Sequence, residues 1–303
     1  MNIRLTKNRI KLAIRAVIGK KLFEQINFWR EVGFWPEVQN PETFCEYVSY
    51  LKLYDHNPGY VEISDKYLVR EYVKGKIGES YLSRLHAVIG KPEDLPEDLP
   101  ENFVLKATYG SGINHFETGY TPGKRNELLE QADKMLRRRH LYGELSGQWW
   151  YKKISRRLIV EERIADSRYS VPIDYKFYCF GGKPSYIQVD SDRFGAHTRT
   201  FFDCSWNKQD FSFTYPPIDF LPAPRMLEKM TELAAVLSKD WEYMRVDFYN
   251  PTDEERIIFG ELTLAPQAGW IHFSPDHMKA DLLLGNLWKE GIKNSRKARQ
   301  GAK

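Results

Sequence analysis

The sequence predicts an α+β fold in two lobes, and three observations lead to this expectation. The chain has 303 residues, and at about 150 residues per domain this length corresponds to two domains or two lobes. Short β-hairpins are mixed with amphipathic helices, whereas a parallel α/β sheet requires regular alternation of strand and helix. No uncharged apolar run in the sequence approaches the roughly 20 residues of a membrane-spanning helix.

The composition is typical of a globular protein without a disulfide framework. Hydrophobic residues make up 42% of the chain and charged residues 28%, which excludes a disordered tail. The three cysteines, Cys45, Cys179 and Cys204, are too few for a disulfide framework and lack the spacing of a zinc site. We therefore expect a reducing compartment and a cytoplasmic location.

The N-terminal segment is strongly basic. Seven cations and no acid lie between Arg4 and Lys21, and apolar residues recur near helical spacing at Ile3, Ile10, Ile14, Val17 and Ile18. This pattern predicts an amphipathic helix. The helix either packs on its own domain with a solvated polar face or lies on anionic lipid or an acidic polymer. The lipid interpretation implies peripheral contact with the inner membrane face through residues 1–21. A second basic stretch, 293–303, is expected to be a frayed tail.

Turn and proline signals divide the first third of the chain. Helix is predicted up to about Leu53, and His56-Asn-Pro-Gly59 follows as a turn. Ser64 is expected to cap a helix over 65–73. The run 91–100 contains three prolines and is predicted to be a connector, because each proline removes a donor and restricts the residue before it.

Strand signals dominate the remainder. Phe103–Lys106 is predicted to be a strand that leads into the glycine-rich turn 107–112, and 157–164 is predicted to be a buried strand. The pair Gly181-Gly182 is expected to join a hairpin. The other predicted elements are helices over 126–140 and 225–237, hairpin strands over 173–180 and 184–190, and a last hairpin over 243–249 and 257–263.

Candidate metal chemistry is concentrated in that last hairpin. A five-residue loop, 251–255, would place Arg245 opposite Glu261, and the alternation of side chains puts Arg245, Asp247, Glu261 and Thr263 on one face. Asp247 and Glu261 then become diagonal neighbours with Cα atoms about 7 to 8 Å apart. Two such carboxylates suit Mg²⁺ shared with nucleotide phosphates. An ordinary salt bridge between Arg245 and Glu261 is the other interpretation.

Two weaker signals precede the hairpin. Lys106 and the turn Gly110-Ser111-Gly112 could bind phosphate through backbone N–H groups and a mobile charge, or could form a simple hairpin turn. Neither a Walker loop nor a dinucleotide fingerprint is present in the sequence. Glu161 and Glu162 close an apolar strand whose edge could bind an adenine or could be a solvated strand end.

Taken together and in this order, the segments resemble the ATP-grasp superfamily, and within it the TupA-like branch associated with teichuronopeptide and other surface-polysaccharide synthesis. The resemblance extends from about Leu53 to Trp288. Seven motifs carry it: 65–73, Phe103–Lys106, Gly110–Gly112, 174–180, 199–203, Arg245–Asp247 and 259–263.

The resemblance implies an N-terminal helical extension (1–55), a glycine-loop lobe (56–165) and a metal-binding lobe with a basic tail (166–303), with ATP clamped between the two α+β lobes. It implies that Asp247 and Glu261 hold Mg²⁺, and that Arg245, Lys106 and Lys176 are catalytic. Many family members have asparagine where this chain has Thr263. The implied nucleotide-binding residues are Lys66, Lys106, Gly110, Ser111, Gly112, Glu161, Glu162, Ile164, Asp174 and Lys176.

The implied activity is that of an ATP-dependent carboxylate-amine ligase acting through an acyl phosphate. It would attach an amino acid or amine to a surface polysaccharide or to its uronic-acid-containing precursor. Arg199, Arg193 and Lys183 are the candidates for binding the glycan carboxylate, since guanidinium and ammonium groups pair with carboxylates. No DNA-binding motif is present, so nucleic acid is not an expected partner.

Two other enzyme classes remain open at the level of sequence. The tripeptide Asp190-Ser191-Asp192 has the form of the metal motif of a glycosyltransferase. A sugar phosphotransferase would stop after moving the γ-phosphate to a sugar. The sequence assigns no general base, although His115, His197 and His272 lie near the motif segments.

Overall fold

The structure is a computed structural model that describes residues 3–138, 141–252 and 254–301. The ends of two predicted segments, Arg139-His140 and Ala302-Lys303, lie outside the described residues. So do Met1 and Asn2 of the predicted membrane-contact segment.

The helices have the following bounds: α1 Ile3–Ile18, α2 Lys20–Val32, α3 Phe44–Tyr54, α4 Gly59–Ser64, α5 Val69–Ile77, α6 Arg125–Arg137, α7 Leu141–Leu145, α8 Leu227–Ser238 and α9 His277–Gly301. The strands are β1 Leu85–Ile89, β2 Phe103–Ala107, β3 Asn114–Glu117, β4 Leu158–Glu162, β5 Asp174–Phe180, β6 Lys183–Ser191, β7 Thr198–Asp203, β8 Tyr243–Tyr249 and β9 Ile258–Thr263. None of the described helices is both long enough and apolar enough to cross a bilayer.

The chain forms two compact units. The larger unit contains the described residues of 1–56, 145–148 and 165–303, and the smaller contains those of 57–144 and 149–164. The described residues of 1–55, predicted as an N-terminal extension, therefore belong to the same compact unit as those of 165–303. Its helix α3 carries Phe44 into an aromatic cluster, where the ring lies 5.2 Å from Tyr243 and 5.5 Å from Trp288 of α9.

The smaller unit is built on an antiparallel four-stranded sheet in the order β1-β4-β2-β3. One face of the sheet is apolar, because Leu105 of β2 and Val160 of β4 are fully buried and pack with Leu128 and Met135 of α6. Side chains alternate along a strand, so Lys106 and Glu161 project from the opposite face. The apolar face packs against α6, and the opposite face carries the charged residues Lys106 and Glu161.

The larger unit is built on an antiparallel five-stranded sheet in the order β7-β6-β5-β8-β9. On one face, buried residues such as Phe177, Ile187 and Val246 lie toward α8, and Cys179 Sγ approaches the Ala234 carbonyl of that helix. The opposite face carries charged residues from all five strands. It is this second face that contains the predicted metal residues.

The last hairpin forms as predicted, but its register differs from the expected one. Asp247 lies directly opposite Glu261 and Arg245 opposite Thr263, so the predicted diagonal placement of the two carboxylates is wrong. Two one-residue shifts cause this difference: Tyr249 pairs with Ile258 instead of Ile257, and a β-bulge at Gly260 lies between the pairs Asp247–Glu261 and Phe248–Phe259. A Cβ on Gly260 would lie 3.1 Å from the Asp247 carbonyl oxygen, so glycine fits this close approach better than larger residues.

The helix predicted over 65–73 is interrupted. Helix α4 ends at Ser64 and α5 begins at Val69, because the buried Asp65 accepts hydrogen bonds from the backbone N–H groups of Tyr67 at 2.8 Å and Leu68 at 3.3 Å. The Asp65 carboxylate also pairs with Arg157 Nη2 at 2.7 Å. This turn carries Lys66.

Candidate functional site

Two acidic side chains converge on one arginine in the larger unit. Arg245 Nη2 donates to Asp247 Oδ2 at 2.6 Å and to Glu261 Oε1 at 2.9 Å, while Arg245 Nε donates to Asp247 Oδ1 at 2.7 Å. Thr263 Oγ1 lies 3.0 Å from the same Nη2 and donates to Glu261 Oε1 at 2.8 Å. The four residues that alternation placed on one face therefore form one connected polar group.

Asp247 is 3% exposed, whereas the Glu261 side chain is 41% exposed. Burial raises the pKa of Asp247 to about 6, although Arg245 and Lys176 act in the opposite direction. Burial opposes the ionisation of a carboxylate, and an additional cation nearby stabilises its ionised form.

Lys176 lies among three carboxylates on the same face. Its ammonium group pairs with Asp174 and lies 3.4 Å from Asp190 Oδ2 and 3.8 Å from Asp247 Oδ2. The sheet register explains this arrangement, because Lys176 of β5 pairs with Asp247 of β8 and Asp174 pairs with Asp190 of β6. Lys176 is thus an internal counter-charge of the acidic group.

The three residues predicted to bind the glycan carboxylate do not lie together. Arg199 is 5% exposed and forms a bidentate pair with Asp190, from Nε at 2.6 Å and Nη2 at 3.1 Å. The Arg193 side chain is 46% exposed and donates to Asp174 at 2.6 Å. Lys183 lies at the other end of β6, seven residues and about 23 Å from Asp190 along the strand. Of the two arginines, Arg193 has the more accessible side chain.

The donor set fits a magnesium ion. Two carboxylates of neighbouring strands approach the same point, and Mg²⁺ usually takes one or two carboxylates and completes its octahedron with water and phosphate oxygens. In the described part of the chain no group of three or more His, Cys, Asp or Glu side chains could hold a metal. Water and phosphate oxygens would have to complete the coordination of a magnesium ion at these two carboxylates.

A second charged cluster lies in the smaller unit, on the polar face of its sheet. Lys106 Nζ donates to Glu161 Oε2 at 2.8 Å, while Glu161 Oε1 accepts from Arg70 Nη1 at 2.6 Å and from the Ser83 hydroxyl at 2.9 Å. Burial alone would raise the pKa of Glu161, but Lys106 and Arg70 outweigh it and hold that pKa below its ordinary value. Glu161 therefore stays ionised at neutral pH and orients Lys106, whose side chain is 25% exposed.

The glycine-rich turn lies beside this cluster in the sequence and joins β2 to β3. Gly110 has φ 113° and Gly112 has φ 70°, a backbone region that glycine enters without a steric cost. Lys66 Nζ donates to the Gly110 carbonyl oxygen at 2.7 Å, and Ser111 is exposed. Lys66 and the glycine-rich turn, both predicted to bind the nucleotide, are thus in contact with each other.

The predicted adenine-binding residues have different surroundings. Both carboxylate oxygens of Glu161 are engaged by Lys106, Arg70 and Ser83, as described above. Glu162 accepts from the Arg84 backbone N–H at 3.2 Å, and Ile164 is half-buried. Glu161 thus orients a lysine, and Glu162 and Ile164 are partly exposed at that strand end.

The histidines and the Asp-Ser-Asp tripeptide engage in local contacts. His115 Nε2 lies 3.0 Å from Glu117 Oε2, His272 Nδ1 lies 3.0 Å from the Val32 carbonyl oxygen, and His197 stacks on Tyr215 at 3.7 Å. The Asp190 carboxylate is occupied by Arg199, and Asp192 accepts from the Ala196 backbone N–H at 2.7 Å within its own turn. The two aspartates therefore have separate structural partners.

Sequence reasoning missed three residues that organise these clusters. Arg70 and Ser83 hold Glu161, and Asp190 binds both Arg199 and Lys176 through its carboxylate. Arg70 lies within the motif 65–73, and Asp190 is part of the Asp-Ser-Asp tripeptide. The Gly181-Gly182 turn alone would place Asp174 opposite Val189, and a register shift between the pairs Tyr178–Tyr186 and Cys179–Pro184 brings Asp174 opposite Asp190 instead.

Residues 46–289 match the family described as TupA-like ATPgrasp, which confirms the resemblance and the fold class inferred from the seven motifs. No curated protein matches the chain.

Solved structures with a similar fold include the D-alanine–D-alanine ligase from Bacillus anthracis, with 15% identity, a TM-score of 0.46 and coverage of 80% of this chain and 70% of that one. The corresponding ligase from Helicobacter pylori has 15% identity, a TM-score of 0.43 and coverage of 80% and 68%. The ATP-grasp ligase PsnB, complexed with precursor peptide PsnA2 and AMPPNP, has 10% identity and a TM-score of 0.42. The match covers 78% of this chain and 60% of PsnB.

Proposed function

The chain belongs to the TupA-like ATP-grasp family and is an ATP-dependent ligase, and from this premise we propose that it joins a carboxylate to an amine through an acyl phosphate. The carboxylate would belong to a uronic acid of a surface polysaccharide or its precursor, and the amine to an amino acid or a small amine. ATP and Mg²⁺ are the proposed co-reactant and cofactor.

One observation carries the proposal: Asp247 and Glu261 lie directly opposite each other and share one hydrogen-bond donor, Arg245 Nη2. In this role Asp247 and Glu261 hold Mg²⁺, which when bound would neutralise charge on the transferring phosphoryl group. Arg245 contributes a fixed positive charge beside the two carboxylates. Such a preorganised charge is the main contribution that a protein makes to phosphoryl transfer.

The chemistry proceeds in two balanced steps. A carboxylate oxygen attacks the γ-phosphorus of ATP, the bond to the bridging oxygen breaks, and ADP leaves. The amine nitrogen then attacks the acyl carbonyl, inorganic phosphate leaves, and the amine gives up a proton as the amide forms. Arg245 and Lys176 would stabilise the added negative charge. The carboxylate requires this activation because its own oxygen is a poor leaving group.

The smaller unit supplies the proposed phosphate contacts. Lys106 is oriented by the ionised Glu161, and the Lys66 ammonium group donates to the backbone of the glycine turn. Lys66, Lys106 and the N–H groups of Gly110, Ser111 and Gly112 would bind phosphate oxygens. In this role Glu161 is a positioning residue, because it acts through Lys106.

Arg193 is the proposed contact for the glycan carboxylate. Its guanidinium pairs with the buried Asp174 through one nitrogen, Nη1, and its side chain remains 46% exposed. A guanidinium group can bind a second carboxylate with its other N–H donors. Arg199 fits this role less well, because Asp190 engages it in a buried bidentate pair.

The proposal is tested by measuring ADP release while uronic-acid oligosaccharides and amino acids are varied. We expect ADP release that requires both the uronic acid and an amine, and hydroxylamine in place of the amine should trap a hydroxamate. Asp247→Asn and Glu261→Gln should each lower the rate by about a hundredfold or more. Asp210→Asn is the matched control, since this carboxylate is exposed and pairs with Lys279 on the surface.

Other outcomes would identify other functions. A sugar phosphate without hydroxamate would indicate a sugar phosphotransferase and contradict the ligase. Thermal protection by a sugar nucleotide, but not by ATP with Mg²⁺, would indicate a glycosyltransferase. The glycosyltransferase alternative has no support from the Asp-Ser-Asp tripeptide, because Asp190 and Asp192 have separate partners.

A further inference from the structure

We propose that α1 is a membrane-binding helix that places this chain on an anionic lipid surface. The inference concerns a surface of the larger unit that the proposed ligation does not use. It is independent of the identity of the substrates.

An apolar stripe runs along the exposed side of α1. Ile10, Ile14 and Val17 follow the i, i+4, i+7 spacing of one helix face, and their exposed fractions are 55%, 46% and 86%. Ile18 lies next to the stripe, four residues after Ile14, whereas Leu12 lies on the opposite side of the helix, and both are only partly exposed. The stripe Ile10/Ile14/Val17 is more exposed than either of them.

A helix that only had to be solvated would not need this stripe. Ile and Val are β-branched and form helices less readily than Ala, Glu, Lys or Gln. Three exposed β-branched residues along one helix face increase neither the helix propensity nor the solubility. An apolar phase outside the chain would cover them and gain free energy from their burial.

Basic side chains flank the stripe. Lys7 and Lys11 follow one edge of it and Arg9 lies toward the other edge, and all three are exposed. The segment from Arg4 to Lys21 contains seven cations and no acid. Helices that lie in the membrane interface combine an apolar stripe with lysine and arginine at the level of the lipid headgroups.

An anionic bilayer fits both properties at once. A second copy of the chain would bring like charges together, which opposes association of α1 with itself. An acidic polymer would satisfy the cations but would leave the apolar stripe in water. Anionic lipid provides hydrocarbon for Ile10, Ile14 and Val17 and negative charge for the lysines and arginines.

The test is flotation of the full-length chain with vesicles of phosphatidylcholine alone or with about one-third phosphatidylglycerol. We expect binding to the anionic vesicles only. Ile14→Asp with Val17→Asp should weaken partitioning by at least about tenfold, because both charges would have to enter hydrocarbon. Lys7→Glu with Lys11→Glu should weaken it by about tenfold or more. The matched controls, Val236→Asp on α8 and Lys208→Glu with Lys239→Glu, should float like the wild type.

Three results would overturn the proposal. One is the absence of flotation with anionic vesicles. The second is full retention of binding by the Ile14→Asp, Val17→Asp variant, which would mean that charge alone holds the chain to the surface. The third is tighter binding to an acidic polysaccharide or to DNA than to vesicles at the same salt concentration. A single unfolding transition at the wild-type temperature shows that each variant is folded, and no readout depends on ligase activity.

Discussion

Asp247 and Glu261 face each other across β8 and β9, and a single nitrogen of Arg245 donates to both carboxylates. The arginine therefore already lies where the two negative charges meet. A magnesium ion bound by these carboxylates would share them with Arg245. The guanidinium group and the metal would therefore each compensate part of the negative charge of the two carboxylates.

Replacing Arg245 should affect both stability and catalysis. Arg245→Met leaves the buried Asp247 without its bidentate partner, so the unfolding temperature should fall when magnesium is absent. Added MgCl₂ should raise that temperature more in the variant than in the wild type, because the metal then supplies the missing positive charge. ADP release should fall by about a hundredfold or more.

Thermal unfolding with and without MgCl₂ checks this prediction. Arg225→Met, at an exposed arginine, serves as the control and should behave like the wild type. An equal response of wild type and Arg245→Met to magnesium would contradict the shared role of the two carboxylates.

Glu161 should contribute to stability above acidic pH. Its pKa is lowered in the folded state, so the stabilisation it provides is complete above its unfolded pKa of about 4.3 and is lost as pH falls through the folded value. Glu161→Gln leaves Lys106 and Arg70 without their carboxylate and should cost about 3 kcal/mol of unfolding free energy at pH 7.

Urea unfolding at pH 7 and at pH 3 measures how much of this stabilisation depends on the ionised Glu161 carboxylate. The difference between Glu161→Gln and wild type should shrink at pH 3. Glu162→Gln is the matched control on the same strand end and should lose less than about 1 kcal/mol. A pH-independent loss for Glu161→Gln would argue against the ion pairs.

Asp281 should show the opposite dependence on pH. Burial raises its pKa to about 6, and its neighbours are the Cys45 backbone N–H at 2.9 Å and His277 Nε2 at 3.5 Å. Between about pH 4 and pH 6 the folded state holds a proton that the unfolded state lacks, so stability should fall as pH rises through this window.

Asp281→Asn should remove this dependence. The amide oxygen can still accept from the Cys45 N–H, and no charge is buried at any pH. We expect the variant to gain up to about 3 kcal/mol over wild type at pH 7.5 and to lose most of that advantage at pH 4. Urea unfolding across this range measures the effect, and an unchanged slope would contradict it.

Lys52 and Glu24 form a fully buried ion pair that also holds a turn. Their side chains are 0% and 4% exposed and lie 2.6 Å apart, and Lys52 Nζ donates to the Ala268 carbonyl oxygen at 2.5 Å. Ala268 and its neighbour Gln267 have φ of 60° and 47°. The pair thus fixes a strained turn that follows β9.

Replacing one partner of this ion pair should lower the free energy of unfolding more than replacing both partners. Lys52→Met alone leaves the Glu24 charge buried and should cost about 3 to 5 kcal/mol, whereas the double variant Glu24→Met, Lys52→Met should recover most of that loss. Denaturant unfolding of the two variants checks this. A double variant less stable than Lys52→Met would show that the turn requires the charges themselves.

Local sequence patterns predicted many of the elements because the relevant interactions are close along the chain. Alternation placed Arg245, Asp247, Glu261 and Thr263 on one face, and the Gly181-Gly182 turn located the β5–β6 hairpin. The register of the last hairpin was not predictable in this way, since an extra residue at Gly260 changes which residues oppose each other. Local patterns did not identify the edge strands β1, β3 and β7. The edge strand β9 was identified because it follows β8 in a hairpin.

By itself the sequence determined the fold family, the apolar and polar faces of the main strands, and the residue types available for metal and phosphate. Only the tertiary structure decided how the charges are paired. Arg199 pairs with Asp190, Lys176 lies among three carboxylates, and Glu161 accepts a hydrogen bond from Lys106. The physical reason is that a long charged side chain pairs with whichever opposite charge folding brings near, and those partners come from strands distant in the sequence.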